Sequence, residues 1–314
     1  MLQELKPRVR LAVKRGAVSA AFLFAVSDAA VAQDAWTFSA TPQATTGRYA
    51  GSTTRNKVGT AALQVDAQYL ERGGLSANVG HTKLSYNNGA ADLVQNNGFL
   101  SGYLNFTPDR SGGRVVTRAD VYRLNNNDPT NETDGVSIFA PQVSFRSFNN
   151  AAYFDLGMAF SRYGNSNVAG RGDLRVRQTN PTLGFAFNNR SNLLQLRVYD
   201  ERYSNSIRAN NRTKTDALEV KLTQYLQPLG WSPELVTFGV LAGRRMYGVD
   251  PDSAVAYNLA DMQKSSYSLL GQWKLSQAVR LIASGSIERY ETLAAGSAVS
   301  YTGSYFYGGL RVSW

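Results

Sequence analysis

Long segments of this chain alternate between apolar and polar residues, and this period of two constrains the fold more than any other feature. In residues 58–70, Leu63 and Val65 stand next to Gln64 and Asp66. The same period recurs in three further segments, residues 151–163, 193–203 and 279–288. A period of two gives a strand one apolar face and one polar face. At about 12–14 residues these segments are longer than usual globular strands and long enough to cross a bilayer at a tilt.

The number and spacing of the segments predict an all-β fold, a single transmembrane antiparallel up-and-down β-barrel of about 14 strands. The expected strand starts lie near residues 36, 57, 75, 97, 114, 136, 151, 174, 191, 214, 234, 264, 278 and 301. Joints after even-numbered strands are short, and joints after odd-numbered strands, from residues 41–56 to residues 291–300, are long and polar. Tight turns at one end and longer loops at the other predict that both termini lie in the periplasm.

The amino-terminal residues predict export. The first residues are basic, residues 17–26 are apolar, and Ala30 and Ala32 are small residues at the two positions that a signal peptidase reads. We therefore predict a signal peptide at residues 1–32 and one barrel domain at residues 33–314. The chain has no cysteine, which excludes disulfides and thiol-ligated metals.

Aromatic residues gather at the predicted strand ends and indicate a girdle at each membrane interface. The set near the short turns is Tyr69, Phe106, Phe148, Phe187, Tyr225, Trp231, Trp273 and Trp314. The set near the long loops is Tyr86, Tyr163, Tyr203, Tyr247, Tyr267, Tyr290 and Tyr301.

The last ten residues carry the most specific signal in the chain. Phe306, Leu310, Val312 and Trp314 share one face of the final strand, which resembles the strand by which outer-membrane proteins are recognised for assembly. With the signal peptide and the alternating strands, the chain resembles Gram-negative porin-like outer-membrane barrels over nearly its whole mature length. The resemblance implies an outer-membrane location and, as partners, membrane lipid, lipopolysaccharide and the barrel assembly machinery.

Alternation along the strands assigns a set of charged residues to the barrel interior. Charges that faced hydrocarbon would each cost roughly 2–4 kcal/mol at the bilayer midplane, so a hydrated lumen is expected. The predicted lumen-lining residues are Asp66, Arg118, Asp120, Arg146, Asp155, Arg197, Glu201, Glu219, Lys221, Arg245, Lys274, Arg280, Glu288 and Arg311. Bases slightly outnumber acids, which favours a weak anion preference. Alternatively, neighbouring opposite charges form ion pairs that stabilise the barrel wall, and the lumen then prefers neither anions nor cations.

The size of the predicted barrel bears on function, because about 14 strands leave room for water when nothing plugs them. The longest loop, residues 248–264, could fold inward as a constriction, but we expect it to stay outside. The sequence therefore predicts a channel for passive diffusion of small hydrophilic solutes or ions. Two alternatives are an export duct or sheath for a polysaccharide or partner protein, and a barrel-embedded lipid hydrolase.

Motifs for catalysis and for metal binding are weak. His81 is the one histidine, and a hydrolase needs a nucleophile, a base and an orienting group, so we expect no enzyme activity and no cofactor. Residues 125–134 carry oxygen ligands that could hold Ca²⁺, but they lack the spacing of a calcium loop, which favours an ordinary polar turn.

Without the predicted signal peptide the formal net charge of +10 falls to about +7, and no basic cluster remains, which disfavours nucleic-acid binding. Basic residues near the predicted outer rim are expected either to meet lipopolysaccharide phosphates or to remain solvated. They are Arg171, Arg175, Arg177, Arg208, Arg212 and Lys214.

Overall fold

The computed structural model describes residues 35–314 except residues 88, 108–111, 228–229, 253–254, 258–260 and 295–296. The predicted signal peptide lies outside the described residues. The strands are β1 (Trp36–Ala50), β2 (Arg55–Tyr69), β3 (Gly73–Tyr86), β4 (Leu93–Phe106), β5 (Gly113–Asn126), β6 (Val136–Ser147), β7 (Ala152–Tyr163), β8 (Leu174–Phe187), β9 (Asn192–Tyr203), β10 (Lys214–Tyr225), β11 (Leu235–Arg245), β12 (Val249–Asp250), β13 (Val255–Ala256), β14 (Met262–Lys274), β15 (Val279–Ala294) and β16 (Ser297–Ser313). None of the described residues forms a helix long and apolar enough to cross a membrane.

Fourteen strands of the described chain form one closed antiparallel barrel. Each strand pairs with its neighbours in sequence, β14 follows β11 directly in the sheet, and β1 pairs with β16 to close the ring. The remaining two, β12 and β13, form a separate two-stranded hairpin. The predicted fold class and strand number are confirmed.

The outside of the barrel is apolar. On β2, Leu63 and Val65 are each 42% exposed, whereas Asp66 points to the other face and is hydrogen-bonded there. Every barrel strand carries at least one large apolar side chain that is exposed in the same way. A continuous outward apolar surface on a closed barrel is the surface that a lipid bilayer covers.

The predicted alternation of short and long joints is wrong at the two ends of the chain. β1 continues to Ala50, so its joint to β2 is residues 51–54 rather than 41–56. β15 and β16 also extend into residues 291–300, which were predicted as a loop, since Thr292 pairs with Val299. Backbone pairing satisfies the peptide groups of polar residues as well as those of apolar ones, so these ladders continue where the apolar pattern fades.

The predicted aromatic girdle at the short-turn end is present, but the one at the long-loop end is not. Phe148, Trp231 and Trp314 are exposed on the outside at the short turns. Five tyrosines of the other predicted set are instead buried inside the barrel: Tyr163, Tyr203, Tyr247, Tyr290 and Tyr301. Those on strands occupy inward positions of the pleat, where their hydroxyls find polar partners.

Candidate functional site: a hairpin folded into the barrel

The loop between β11 and β14 folds into the barrel. Met246, Tyr247, Val249 and Asp250 are all buried. The prediction that residues 248–264 stay outside is therefore wrong. The physical reason is that the apolar side chains of this loop lose contact with water when they pack against the inner wall.

Side chains of the barrel wall satisfy the backbone of the inserted loop. Gln178 on β8 brackets Val249, since its Nε2 donates to the Val249 carbonyl at 2.7 Å and its Oε1 accepts from the Val249 N–H at 2.8 Å. Glu201 on β9 accepts from the Met246 N–H at 2.8 Å. Buried peptide groups need such partners, so the wall is built to hold this segment.

The tip of the hairpin is held near the middle of the barrel wall. Arg197 on β9 grips the Asp252 carboxylate with two hydrogen bonds, of 2.9 and 2.7 Å. Lys221 on β10 donates to the same carboxylate at 2.9 Å. Towards β5, Arg118 Nη1 donates to the Pro251 carbonyl at 3.2 Å. The tip thus connects walls several strands apart and narrows the lumen.

The charges around the tip compensate one another. Arg197, whose side chain is 2% exposed, also lies 3.6 Å from a carboxylate oxygen of both Glu219 and Asp250. The ammonium of Lys221 lies 3.1 Å from Glu219. A buried guanidinium is costly unless carboxylates surround it, so the network fixes the tip to this wall. Burial raises the pKa of Asp252, but the charges of Lys221 and Arg197 outweigh burial and hold that pKa well below its ordinary value.

The base of the hairpin is built around Arg245. Its guanidinium lies 4.9 Å from the ring centre of Tyr199 and 4.2 Å from that of Tyr257, and Nε donates to Gln263. Just before it, Gly243 has a φ of 123°, a conformation that only glycine adopts readily, and the pairing with β14 shifts register. This bulge ends the regular strand and starts the turn into the lumen.

The hairpin fills one side of the lumen. Inward side chains of β5–β7, such as Tyr122, Ile138 and Tyr163, are buried in one apolar cluster that includes Val249. Inward polar side chains of β2 and β3 instead keep partial exposure to solvent. The accessible part of the lumen therefore runs along β1–β3 and β14–β16.

No protein-family model matches this chain, and no curated protein matches its sequence. Solved structures match its shape. The TodX monoaromatic hydrocarbon channel of P. putida, as its deltaS2 mutant, aligns with a TM-score of 0.50 and 10% identity over 90% of each chain. The outer-membrane protein Omp33 of Acinetobacter baumannii aligns with a TM-score of 0.43 and 9% identity over 88% of this chain and 99% of that chain. OmpT of Vibrio cholerae gives a TM-score of 0.43 and 12% identity over 90% and 99%.

This chain has the fold of a Gram-negative outer-membrane β-barrel. At such identities the likeness concerns the fold and not the activity. The outward apolar surface agrees with this fold, and the protein lies in the outer membrane of a Gram-negative bacterium.

The outer-membrane barrel brings six of the predicted interior residues together around the hairpin: Arg118, Arg197, Glu201, Glu219, Lys221 and Arg245. Asp120 lies beside this group and accepts from Arg118 Nε at 2.8 Å. These residues come from β5, β9 and β10 and from the end of β11, so only closure of the barrel assembles them.

The remaining predicted acids have polar partners or burial of their own. On the accessible side, Asp66 accepts from Ser76 at 2.6 Å. Glu288 accepts from Gln263 at 2.6 Å, and Asp155 is buried on β7.

Four predicted bases lie near the short-turn end of the outer-membrane barrel: Arg146, Lys274, Arg280 and Arg311. Arg280 pairs with Glu234 at 2.9 Å, and Arg146 lies over the ring of Tyr153 at 5.9 Å. Lys274 and Arg311 are exposed. This end of the lumen is therefore more basic than the constriction.

Sequence reasoning missed the hairpin acids Asp250 and Asp252 and the wall residue Gln178 that binds Val249. One signal was present in Val249, an apolar residue in a loop that was predicted to be solvated, and its side chain is buried. The signal is weak, because Val255 in the same loop is also apolar and is 44% exposed.

The weaker candidate sites have ordinary structural explanations. His81 is exposed and shares a 2.8 Å hydrogen bond with Asn96. The Asp128 carboxylate accepts hydrogen bonds from Thr130 and Thr133, which closes the turn on itself. Within the described ranges, no group of three or more metal-ligating side chains is present.

Two of the basic residues expected at the outer rim are committed to loop contacts. Arg208 is 2% exposed and donates to the carbonyls of Gly164 and Gly172 at 2.6 and 3.0 Å. Arg171 pairs with Glu132 at 3.0 Å. The expectation that Arg208 meets lipid phosphates is wrong, because its guanidinium joins the loops to one another.

Proposed function

We propose that this outer-membrane barrel is a channel for passive diffusion of small hydrophilic solutes, with the inserted hairpin as its constriction and both termini in the periplasm. The observation that carries the proposal is the asymmetric lumen. Polar side chains along β1–β3 and β14–β16 keep contact with solvent beside a hairpin that is fixed to the opposite wall. A polar lumen beside a fixed obstruction suits diffusion of solutes below a size limit.

The charge distribution supports a weak preference for anions. At the hairpin tip, the carboxylates of Glu219, Asp250 and Asp252 offset Arg197 and Lys221, so the constriction itself contributes little net selectivity. At the short-turn end, Lys274 and Arg311 are exposed and form no ion pair with other described residues. Uncompensated bases at one mouth raise the local concentration of anions.

Single-channel recording of the purified protein in a planar bilayer tests this proposal. We expect steady ohmic conductance and, in a KCl gradient, a reversal potential on the chloride side of zero. The double variant Lys274→Gln/Arg311→Gln should move that potential towards zero, whereas Arg289→Gln, which removes an exposed base from the outside of β15, should leave it unchanged. A silent protein would contradict the channel, and a cation-selective one would contradict the preference.

We also propose that the barrel has no catalytic activity. The lone His81 lies on the outer face, away from the inward acids, and its hydrogen bond goes to an amide rather than to a nucleophile. Phe306, Leu310 and Trp314 are exposed along β16, and we propose that this face is what the assembly machinery contacts.

A further inference from the structure

Four arginines point outward at the long-loop end of β7–β9. Register places Arg162 opposite Arg175, and Arg177 opposite Arg202. All four lie on the exposed side of their strands, since Val176 between two of them is buried inside. Adjacent strands lie about 4.8 Å apart, so the four guanidinium groups share one small patch of the outer surface.

The four arginines surround a groove on the outside of the barrel. Its volume is about 420 Å³, and it is lined by Phe160, by the stems of the arginines and by Ser204. Phe160, two residues from Arg162 along β7, is 43% exposed and belongs to the apolar belt. The groove thus crosses the boundary between the apolar belt and the charged rim.

Two of these arginines have no side-chain partner among the described residues. Neither Arg162 nor Arg177 forms a hydrogen bond through its side chain or an ion pair with any other residue that the structure describes. Guanidinium groups that point into a membrane interface without an acceptor favour an anion from outside the chain.

The other two arginines are only partly neutralised. Arg175 lies 3.6 Å from Asp173, and its side chain is 70% exposed. Arg202 lies 3.3 Å from Asp200, but Asp200 also binds Lys214 at 2.8 Å. Lys214 also pairs with Asp216 at 2.9 Å, so three carboxylates face five bases in this region, and an excess of positive charge remains.

We propose that this groove binds the phosphorylated headgroup of lipopolysaccharide. A guanidinium binds a phosphate through two parallel hydrogen bonds, and a group of arginines suits a dianionic phosphate. The apolar side of the groove at Phe160 lies where the acyl chains of the same molecule would run. The ligand is therefore an amphiphile with its phosphate at the level of the charged rim. This inference rests on the proposed orientation, with both termini in the periplasm, and is independent of conduction through the lumen.

The test compares lipopolysaccharide binding by the whole barrel and by two matched double variants. Arg162→Gln/Arg177→Gln removes the unpartnered bases, whereas Arg48→Gln/Arg289→Gln removes two outward-facing exposed bases from β1 and β15. Native mass spectrometry of detergent-purified protein titrated with purified lipopolysaccharide gives the affinity. We expect the first variant to bind at least about tenfold more weakly and the control to match the wild type.

Further arms identify the ligand chemistry. The wild type should bind dephosphorylated lipopolysaccharide about as weakly as Arg162→Gln/Arg177→Gln binds the intact lipopolysaccharide. Arg162→Lys/Arg177→Lys keeps the positive charges but loses the two parallel N–H donors of each guanidinium. Its affinity should therefore lie between that of the first variant and that of the wild type. The proposal would be overturned if Arg162→Gln/Arg177→Gln bound lipopolysaccharide as tightly as the wild type does. It would also be overturned if the control variant were weakened as much as the first variant, or if the wild type bound phosphatidylglycerol as tightly as lipopolysaccharide. A heat-dependent shift in gel migration establishes that every variant is folded.

Discussion

At the scale of single residues, one carboxylate holds the constriction in place. Asp252 accepts hydrogen bonds from Arg197, Lys221 and Gln195, which belong to two neighbouring strands. Most of the remaining hairpin contacts involve backbone atoms of the loop. The position of the tip, and with it the width of the lumen, therefore depends on this side chain.

Replacement of this carboxylate should loosen the hairpin. In Asp252→Asn the two bases keep only Glu219 and Asp250, at 3.1–3.6 Å, so the tip loses its strongest anchors. We expect a higher and noisier single-channel conductance, by about 1.5-fold or more. Asp216→Asn, on the exposed outer side of β10, is the control. Unchanged conductance and noise in Asp252→Asn would contradict the anchoring role.

The same contacts predict how the constriction responds to acid. Because the pKa of Asp252 is held below its ordinary value, its attraction to Lys221 and Arg197 is fully present above the ordinary carboxyl range. It is lost only when the pH falls through the lowered pKa. The conductance difference between the wild type and Asp252→Asn should therefore stay constant from about pH 8 to about pH 4. A step in that difference with a midpoint near about pH 5 would contradict this assignment.

Residue-level prediction from the sequence succeeded only in part, for a physical reason. Strict alternation along β9 and β10 predicts that Arg197 and Lys221 point inward, because neighbouring side chains of a strand face opposite ways. Alternation says nothing about Asp252, which lies in a loop without that period. The partner of both bases could not be read from the pattern that located them.

At the scale of elements, the hairpin β12–β13 is an insertion into a barrel that is complete without it. The sheet continues from β11 directly to β14, and among the described residues the hairpin strands pair only with each other. Sequence alternation revealed the ring because each wall strand repeats one pattern. The path of a connecting loop leaves no such pattern, which is why its inward course was missed.

Removal of the hairpin should widen the channel without unfolding the barrel. We expect that replacing residues 248–257 with a short glycine–serine linker raises the conductance at least about twofold, since it removes the only described loop segment near the middle of the wall. Shortening the joint between β3 and β4, residues 87–92, is the control, because it lies at the long-loop end and the anchors of the hairpin come from other strands. If the hairpin deletion conducts like the wild type, the segment is not the constriction.

At the scale of the whole molecule, lipid outside and water inside impose opposite demands on adjacent residues. Leu63 faces outward on β2 and Gln64 faces inward, where its amide donates to Asp66 at 2.9 Å. The closed ring, the number of strands and the apolar belt all follow from this opposition, so they were predictable from the sequence.

That opposition can be measured with one pair of variants. Leu63→Arg should lower the free energy of unfolding in lipid vesicles by about 2–4 kcal/mol, because a charge near the bilayer midplane is poorly solvated. Gln64→Arg, one position along, should have little effect, since the new guanidinium can pair with Asp66. Urea titration of both variants checks this, and equal losses would contradict the assigned faces of β2.

The one-sided position of the hairpin should give the proposed passage an oblong cross-section. A solute that threads past it meets a slit whose short axis is the gap between the hairpin and the facing wall, and whose long axis follows the curve of the sheet. A flat molecule that is oriented edge-on should pass such a slit, whereas a rounder molecule of equal mass should be excluded. The sieving limit of this protein should therefore follow molecular thickness rather than molecular weight.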